Sequence, residues 1–198
     1  MKILVTAFDP FGGESINPAQ QAVERLDQNI GCHEIHKLIV PTVFDHAAEL
    51  VIAEMECIRP DAVICVGQAG GRRAVTPERV AINIKDASLK DNIGQQPEDE
   101  PVVPGGPAAY FSSLPIKKMV QAIREAGFAG DVSNSAGTFV CNSLLYSVLH
   151  YAALHMPKIR AVFIHVPYIP EQTAEKNNVP SMPLDDIVAA LSAAIECL

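Results

Sequence analysis

The chain has 198 residues, of which 48% are hydrophobic and 19% are charged. This length allows one domain with a sizeable core, and this composition excludes an intrinsically disordered protein. The formal net charge of −8 disfavours a nucleic-acid or anionic-membrane partner, because phosphate binding requires clustered Lys and Arg.

The N-terminus and the cysteines bear on the compartment. Residues 1–8 are too few for a signal peptide and lack a cleavage pattern, and no apolar run approaches the ~20 residues of a membrane span. Five cysteines, an odd number without regular spacing, disfavour a disulfide framework. Only Cys32, His33 and His36 suggest a metal site, and no second group of Cys or His residues occurs at the spacing of zinc ligands. We therefore predict a cytoplasmic protein with no metal.

Apolar periodicity and helix caps predict alternating strands and helices along residues 1–198, which we expect to form a single domain. Asn17 before Pro18 is a typical helix start, and Asp45 is expected to cap the next helix. The predicted elements are strand 2–8, helix 17–29, strand 34–40, helix 45–58, strand 61–67, strand 75–84, helix 115–126, a helix from Cys141 to about 157, strand 161–167 and a helix from 183.

Three predicted loops have features of a binding site. Residues 9–13 follow the first strand, and we expect Phe8 and Phe11 to be exposed there. Residues 67–71, Gly-Gln-Ala-Gly-Gly, allow backbone to approach a ligand closely. Residues 85–109 are expected to form a long loop or short hairpin that could act as a lid.

The alternation of strands and helices predicts an α/β sandwich with a largely parallel sheet. In such sheets, ligands bind at the carboxyl ends of the strands. The glycine-rich loop 67–71, the turn before Cys141 and the end of the strand that carries His165 should all lie at or near that edge.

Cys141 follows the run Ser-Asn-Ser-Ala-Gly-Thr-Phe-Val (133–140) and precedes apolar residues at helical spacing. Gly137 is expected to break the preceding extended segment, and Thr138 is expected to cap the helix. Cys141 would then lie in the first helical turn, where the helix dipole favours a thiolate. The alternative interpretation is a small buried residue that begins a core helix.

Glu78 and His165 have two interpretations each. Glu78 is in phase with the aliphatic residues at 80, 82 and 84, which predicts an inward side chain; alternatively it ends a loop and is solvated. His165 lies near the end of an apolar strand and could be a catalytic base or a hydrogen-bonded structural histidine. The other five histidines are expected at the surface: His33, His36, His46, His150 and His155.

A thiol at a helix start, an imidazole and an inward carboxylate are the groups of a cysteine hydrolase. The imidazole would deprotonate Cys141, the carboxylate would orient the imidazole, and N–H groups beside Cys141 would bind the oxyanion. A competing hypothesis is a nucleotide or phosphate binder that uses residues 67–71, although the spacing matches neither the P-loop nor the dinucleotide motif.

Two runs of the sequence carry a family resemblance: residues 67–72 with Thr76-Pro-Glu-Arg-Val-Ala-Ile-Asn83, and Ala136-Gly-Thr-Phe-Val-Cys-Asn142. They resemble the two signatures of the pyroglutamyl peptidase I family, the pyrrolidone-carboxylate peptidases of the cysteine class. The resemblance extends over nearly the whole length of the chain. Further similar runs are Phe8-Asp-Pro-Phe-Gly-Gly13, Pro41-Thr-Val-Phe44, Gly106-Pro-Ala-Ala-Tyr110 and Ile164-His-Val-Pro-Tyr-Ile-Pro-Glu171.

The resemblance implies that the protein removes an N-terminal pyroglutamyl residue from peptides, without a metal or cofactor. It implies a three-layer α/β/α sandwich with a twisted, largely parallel mixed sheet, and a homo-oligomer, either a tetramer or a dimer. Carried over to this chain, the catalytic residues are Glu78, Cys141 and His165. The residues implied to surround the lactam ring are Phe8, Phe11, Asn17, Gln68 and Phe139.

Two positions depart from the family pattern. Ser88 stands where relatives commonly have Arg, and Ser143 stands where relatives often have His. Neither position belongs to the implied triad. The Ser88 departure motivates an alternative hypothesis, a catalytically weak relative that binds lactam or N-blocked peptides.

Overall fold

Eight strands and six helices alternate along the chain in the computed structural model, which describes all 198 residues. The strands are β1 Lys2–Phe8, β2 Asn29–Ile30, β3 His33–Val40, β4 Ala62–Gln68, β5 Thr76–Pro77, β6 Val80–Ile82, β7 Ala109–Phe111 and β8 Arg160–Val166. The helices are α1 Pro18–Arg25, α2 His46–Ile58, α3 Ile116–Glu125, α4 Val140–His155, α5 Pro170–Thr173 and α6 Leu184–Glu196.

A twisted mixed sheet forms the centre of the molecule, in the order β2-β3-β1-β4-β8-β5. Its four central strands run parallel, and the two short edge strands run antiparallel to their neighbours. A separate hairpin pairs β6 with β7. The predicted α/β class with a largely parallel sheet is confirmed.

Two apolar clusters cover the two faces of this sheet and give the predicted α/β/α layers. One cluster packs α1, α3 and α6 against one face, and the other packs α2 and α4 against the opposite face. Alternation along a strand places successive side chains on opposite faces. In β8, Phe163 therefore belongs to the α4 face, whereas Ile164 and Val166 belong to the other.

Several element boundaries and caps differ from the prediction. Helix α1 ends at Arg25 because the chain turns into the edge strand at Asn29, and α5 lies within the predicted loop 167–182. Asp45 does not cap α2: its backbone φ is 59° and its carboxylate instead binds Nζ of Lys85 at 2.9 Å. That contact anchors the start of the long segment 85–109 to α2.

Two residues expected at the surface are buried. Phe8 is the last residue of the inner strand β1 and packs on Phe163, so only 1% of it is exposed. His33 is 4% exposed, and its Nδ1 lies 3.3 Å from the N-terminal amine of Met1. No helix combines the length and the apolar character needed to cross a membrane.

Candidate active site

The carboxyl ends of β4 and β8 lie side by side in the middle of the sheet. Gly67 of β4 is paired with His165 of β8 in the parallel register. His165 follows Phe163 by two residues and its ring lies 4.7 Å from that of Phe163, so both point to the face covered by α4. The ends of these two strands therefore present an imidazole toward the start of α4.

Cys141 is the second residue of α4, as predicted, and is 9% exposed. A Cβ atom added to Gly67 would lie 3.2 Å from Sγ of Cys141 and 2.6 Å from Cζ of Phe163. The sulfur thus packs against the glycine that is paired with His165. Any larger residue at position 67 would displace the thiol or the Phe163 ring.

Thr138 does not cap α4, contrary to the prediction. Its hydroxyl donates instead to the backbone oxygen of Asp86 at 2.7 Å, and Phe139 takes the N-cap position without a side-chain cap. The N–H groups of Val140, Cys141 and Asn142 donate to no other residue. Such N–H groups at a helix start beside a thiol are suited to bind an oxyanion.

Glu78 is fully buried and lies against His165. Its Oε1 is 2.6 Å from Nδ1 of the imidazole. An ionised carboxylate can only accept, so Nδ1 carries the proton and Nε2 is left as the acceptor. This tautomer is the one that a general base needs.

Of the two interpretations of Glu78, the structure shows the inward one, but not for the reason that the strand pattern suggests. The predicted strand 75–84 is interrupted: β5 ends at Pro77 and β6 begins at Val80. Val80 is only half-buried and Ala81 is fully buried, so the expected phase does not continue beyond Glu78. The N–H of Glu78 donates to the oxygen of Phe163, which keeps Glu78 beside β8, and its carboxylate is held there by His165.

Arg72 also contacts Glu78, a contact that the sequence did not indicate. Its Nη1 donates to Oε1 of Glu78 at 2.7 Å and to Oγ1 of Thr76 at 2.5 Å. Its Nη2 donates to the backbone oxygen of Ser135 at 3.2 Å. The only available signal was its place at the end of the glycine-rich run 67–72, since a long side chain in a loop has no periodicity.

Burial shifts the pKa of both the Cys141 thiol and the His165 imidazole. Burial, reinforced by the charge of Glu78, raises the pKa of Cys141 to about 12, while Arg72 acts to lower it. Burial lowers the pKa of His165, against the raising effect of Glu78. Desolvation thus opposes the preference for a thiolate that is expected at a helix start.

A cleft of about 360 Å³ opens at the carboxyl end of β4 and is lined by Phe11, Gly12, Glu14, Gln68, Gly70, Leu89 and Tyr168. The amide oxygen of Gln68 accepts from Nε2 of Gln172 at 2.8 Å. The Nε2 of Gln68 donates to no protein group. The Phe139 ring lies 6.0 Å from that of Phe11 and 5.2 Å from that of Phe44. Two of the predicted substrate-binding residues, Phe11 and Gln68, thus line the cleft, and Phe139 contacts its wall.

Phe8 and Asn17 lie behind this surface. Each is 1% exposed. Asn17 caps α1 as predicted, accepting from the N–H of Ala19 at 2.9 Å, and its amide donates to the oxygen of Asp9 at 3.0 Å. Asn17 therefore supports the loop that carries Phe11, and its polar atoms are already paired.

The segment that departs from the family pattern lies beside the cleft. Ser88 is exposed and its hydroxyl has no hydrogen bond, while the next residue, Leu89, lines the cleft. The segment is held by Asp91, which is buried and accepts from the N–H groups of Phe44, Ile93 and Gln95. Its position does not depend on a side chain at 88.

Comparison with known proteins gives matches along the whole chain. The family model described as pyroglutamyl peptidase matches residues 1–198. A pyrrolidone-carboxylate peptidase of Levilactobacillus brevis is 52% identical over 198 residues, which is 100% of this chain and 97% of that protein. Pyrrolidone-carboxylate peptidase 1 of Caldanaerobacter subterraneus subsp. tengcongensis is also 52% identical, over 100% of this chain and 98% of that protein.

Solved structures are equally similar. The crystal structure of pyroglutamyl peptidase I from Bacillus amyloliquefaciens superposes with a TM-score of 0.96 at 49% identity, covering 99% of this chain and 95% of that one. A mutant pyrrolidone carboxyl peptidase from the hyperthermophile Pyrococcus furiosus gives a TM-score of 0.95 at 46% identity, covering 100% and 97% of the two chains.

Proposed function

The chain belongs to the pyroglutamyl peptidase family, and from this premise we propose that it hydrolyses N-terminal pyroglutamyl peptides through a thiol acyl-enzyme. It is a pyroglutamyl-peptidase I, a cysteine peptidase. The observation that supports the mechanism is one arrangement of three groups. The Cys141 sulfur packs on Gly67, the strand partner of His165, and His165 is hydrogen-bonded to Glu78.

In the first half of the reaction, Nε2 of His165 takes the proton of the Cys141 thiol while the sulfur forms a bond to the pyroglutamyl carbonyl carbon. The carbonyl oxygen becomes an oxyanion, and the unpaired N–H groups at the start of α4 bind it. When the intermediate collapses, the C–N bond breaks and His165 gives its proton to the departing amine. The product is a thioester on Cys141.

In the second half, His165 takes a proton from a water molecule that attacks the thioester. The C–S bond breaks, free pyroglutamate leaves, and the proton returns to the sulfur. Glu78 stabilises the imidazolium that forms in both halves. The thiol and the imidazole are not hydrogen-bonded to each other in the resting structure, and catalytic hydrogen bonds commonly tighten only when substrate binds.

The pocket chemistry suits a pyroglutamyl ring, which is compact, uncharged and half apolar. Phe11 and Phe139 supply aromatic walls, with Phe8 buried behind them. The free Nε2 of Gln68 can donate to the lactam oxygen, and Asn17 holds the loop that carries Phe11. A free α-ammonium would be desolvated there without a partner, so peptides with an unblocked N-terminus should be rejected.

The alternative of a peptide-binding protein without turnover is not favoured. It was motivated by Ser88, and that residue is exposed and lies outside the group formed by Cys141, His165 and Glu78. The chemistry above requires no metal or cofactor, and no three His, Cys, Asp or Glu side chains lie close enough together to hold a metal ion.

We also propose a cytoplasmic homo-oligomer, a tetramer or a dimer. Phe111 is 72% exposed and Leu154 is 62% exposed, and an apolar hollow of about 200 Å³ lies beside Phe111. Phe111 and the apolar hollow that it lines are the surface where we expect the subunits to meet. Light scattering of the purified protein measures the oligomer directly, and a monomer at all concentrations would contradict this proposal.

The proposed mechanism is tested by the release of a fluorophore from a pyroglutamyl amide. The wild type should release it, and Cys141→Ser should be nearly inactive, since a hydroxyl is a far weaker nucleophile. Rapid acid quenching followed by mass spectrometry should find one pyroglutamyl group on the peptide that contains Cys141. Equal activity of the wild type and Cys141→Ser would exclude a thiol acyl-enzyme.

A further inference from the structure

The buried carboxylate of Glu78 has an uneven set of partners. Oε1 accepts from Nδ1 of His165 at 2.6 Å and from Nη1 of Arg72 at 2.7 Å. Oε2 is buried and has no hydrogen-bond partner. The two donors therefore converge on one oxygen and together set the orientation of the carboxylate.

Arg72 is placed to hold that orientation. Its guanidinium binds Thr76 and Glu78 through Nη1 and the oxygen of Ser135 through Nη2. Thr76 is paired with His165 across β5 and β8, and Ser135 lies in the turn that leads to Cys141. One rigid planar group thus contacts the carboxylate, the strand beside the imidazole and the turn before the thiol.

We propose that Arg72 is a positioning residue for the reaction: its guanidinium fixes the Glu78 carboxylate against His165 and ties it to the turn that precedes Cys141. This inference rests on the proposed function of the same site. Arg72 does not touch the reacting atoms and does not line the cleft. Its loss should therefore reduce kcat and leave KM unchanged.

Arg72 also supplies the only cation in the cluster. The titratable and charged groups around His165 and Glu78 are Arg72 from the loop after β4, Cys141 from α4, and Cys65 of β4 beside Cys141. The positive charge of Arg72 lowers the pKa of both His165 and Cys141. Removal of that charge should raise the pKa of His165, so the acid limb of the kcat/KM profile should move to higher pH.

The experiment compares Arg72→Gln and Arg72→Lys with the matched control Arg73→Gln on a pyroglutamyl amide across pH. Arg73 is exposed and its guanidinium makes no hydrogen bond or ion pair. Arg72→Gln should lower kcat by about 100-fold, the effect of slight misplacement of catalytic groups, at unchanged KM and with the acid limb moved upward. Arg72→Lys keeps the charge without the planar fork and should show a smaller loss of kcat and a smaller pH shift. Arg73→Gln should match the wild type.

Wild-type kcat and pH profile in both Arg72 variants would overturn the inference, as would a loss confined to KM. Removal of Arg72 could also unfold the protein by leaving a buried charge unpaired. If circular dichroism shows that Arg72→Gln is unfolded, the comparison of Arg72→Lys with the wild type decides: reduced kcat at wild-type KM supports the role, and wild-type kcat overturns it.

A measurement without substrate separates this inference from the proposed function. The rate at which iodoacetamide alkylates Cys141, followed by mass spectrometry of that peptide, reports thiolate formation directly. In Arg72→Gln the alkylation profile should move to higher pH, and superimposable profiles would overturn the inference. Failure of the wild type to hydrolyse a pyroglutamyl amide would instead refute the proposed function, and the alkylation result would stand on its own.

Discussion

Nδ1 of His165 lies 2.6 Å from Oε1 of Glu78, and the two side chains are 5% and 0% exposed. A hydrogen bond to a charged, water-excluded acceptor is among the stronger contacts in a protein. It fixes the imidazole tautomer with Nε2 free. In a reaction that creates an imidazolium, the same carboxylate also stabilises the charge.

Glu78→Gln should remove the charge of Glu78 without changing the fold. Glutamine has nearly the same shape and can still accept from Nδ1, but it carries no charge to stabilise the imidazolium. We expect kcat to fall on the order of 10³-fold or more, by analogy with the corresponding substitution in serine proteases, with KM little changed. Glu98→Gln serves as a control that removes the same charge from an exposed residue whose carboxylate makes no hydrogen bond or ion pair. A kcat within a factor of a few of the wild type would contradict the role of Glu78.

A second prediction concerns stability at alkaline pH. Burial raises the pKa of Cys65 from 9.0 to about 12. Below pH 9 the thiol is protonated in both the folded and unfolded states, so the stability that it contributes is fully present. Above pH 9 the unfolded chain loses the proton first, and this stability is lost as the pH rises toward about 12.

The free energy of unfolding should therefore fall by about 1.4 kcal/mol per pH unit for this thiol above pH 9. Urea unfolding at a series of pH values measures the slope for the wild type, Cys65→Ala and Cys57→Ala. Cys65→Ala should make the slope less steep without abolishing it, because the pKa of Cys141 is also raised to about 12. Cys57→Ala should leave the slope unchanged, because Cys57 is exposed. An identical slope in all three proteins would refute the assignment to Cys65.

A third prediction concerns Asn17, whose side chain links the start of α1 to the oxygen of Asp9. Asn17→Ala should lower the free energy of unfolding by about 1–2 kcal/mol, the usual cost of losing a helix cap. Asn17→Asp keeps the acceptor for Ala19 but loses the donor to Asp9. It should raise KM with a smaller loss of stability, because the loop that carries Phe11 is released. The control is the exposed Asn29→Ala, and an unchanged KM in Asn17→Asp would rule out a loop-supporting role.

Patterns local to one element were sufficient to predict much of the site. The positions of Cys141 at a helix start and of His165 at a strand end follow from apolar periodicity and chain breakers, which act over a few residues. The sheet-edge rule then predicts that they lie near each other. The Asn17 cap was predictable for the same reason, since its partner Ala19 is two residues away.

Contacts between distant segments were not predictable in this way. Threonine often caps helices, yet the hydroxyl of Thr138 donates to the backbone oxygen of Asp86, 52 residues away in the chain. The carboxylate of Asp45 likewise accepts from Nζ of Lys85 and does not cap α2. Arg72 carries no pattern at all, because its role depends on where Glu78 and Ser135 lie after folding. Such side chains can bond a near neighbour in the chain or a distant segment. In these cases the distant segment is the partner, and a local sequence pattern does not reveal it.

The last prediction concerns Ser143, which follows Asn142 in the first turns of α4. Its hydroxyl is buried and has no hydrogen-bond partner, in a residue that is 1% exposed. A buried polar group without a partner loses its hydration and gains nothing in return, at a cost of about 1–3 kcal/mol. Ser143→Ala removes that hydroxyl from a helix and introduces a better helix former.

We therefore expect Ser143→Ala to raise the free energy of unfolding by about 1 kcal/mol, measured by urea denaturation, with kcat unchanged. Ser192→Ala is the matched control, because the Ser192 hydroxyl donates to the oxygen of Val188 at 2.9 Å within α6. Ser192→Ala removes an existing hydrogen bond, so it should not raise the free energy of unfolding by a similar amount. A loss of stability in Ser143→Ala would contradict this prediction. It would mean that the Ser143 hydroxyl is hydrogen-bonded to a bound water in solution, because only a satisfied hydroxyl is costly to remove from a core.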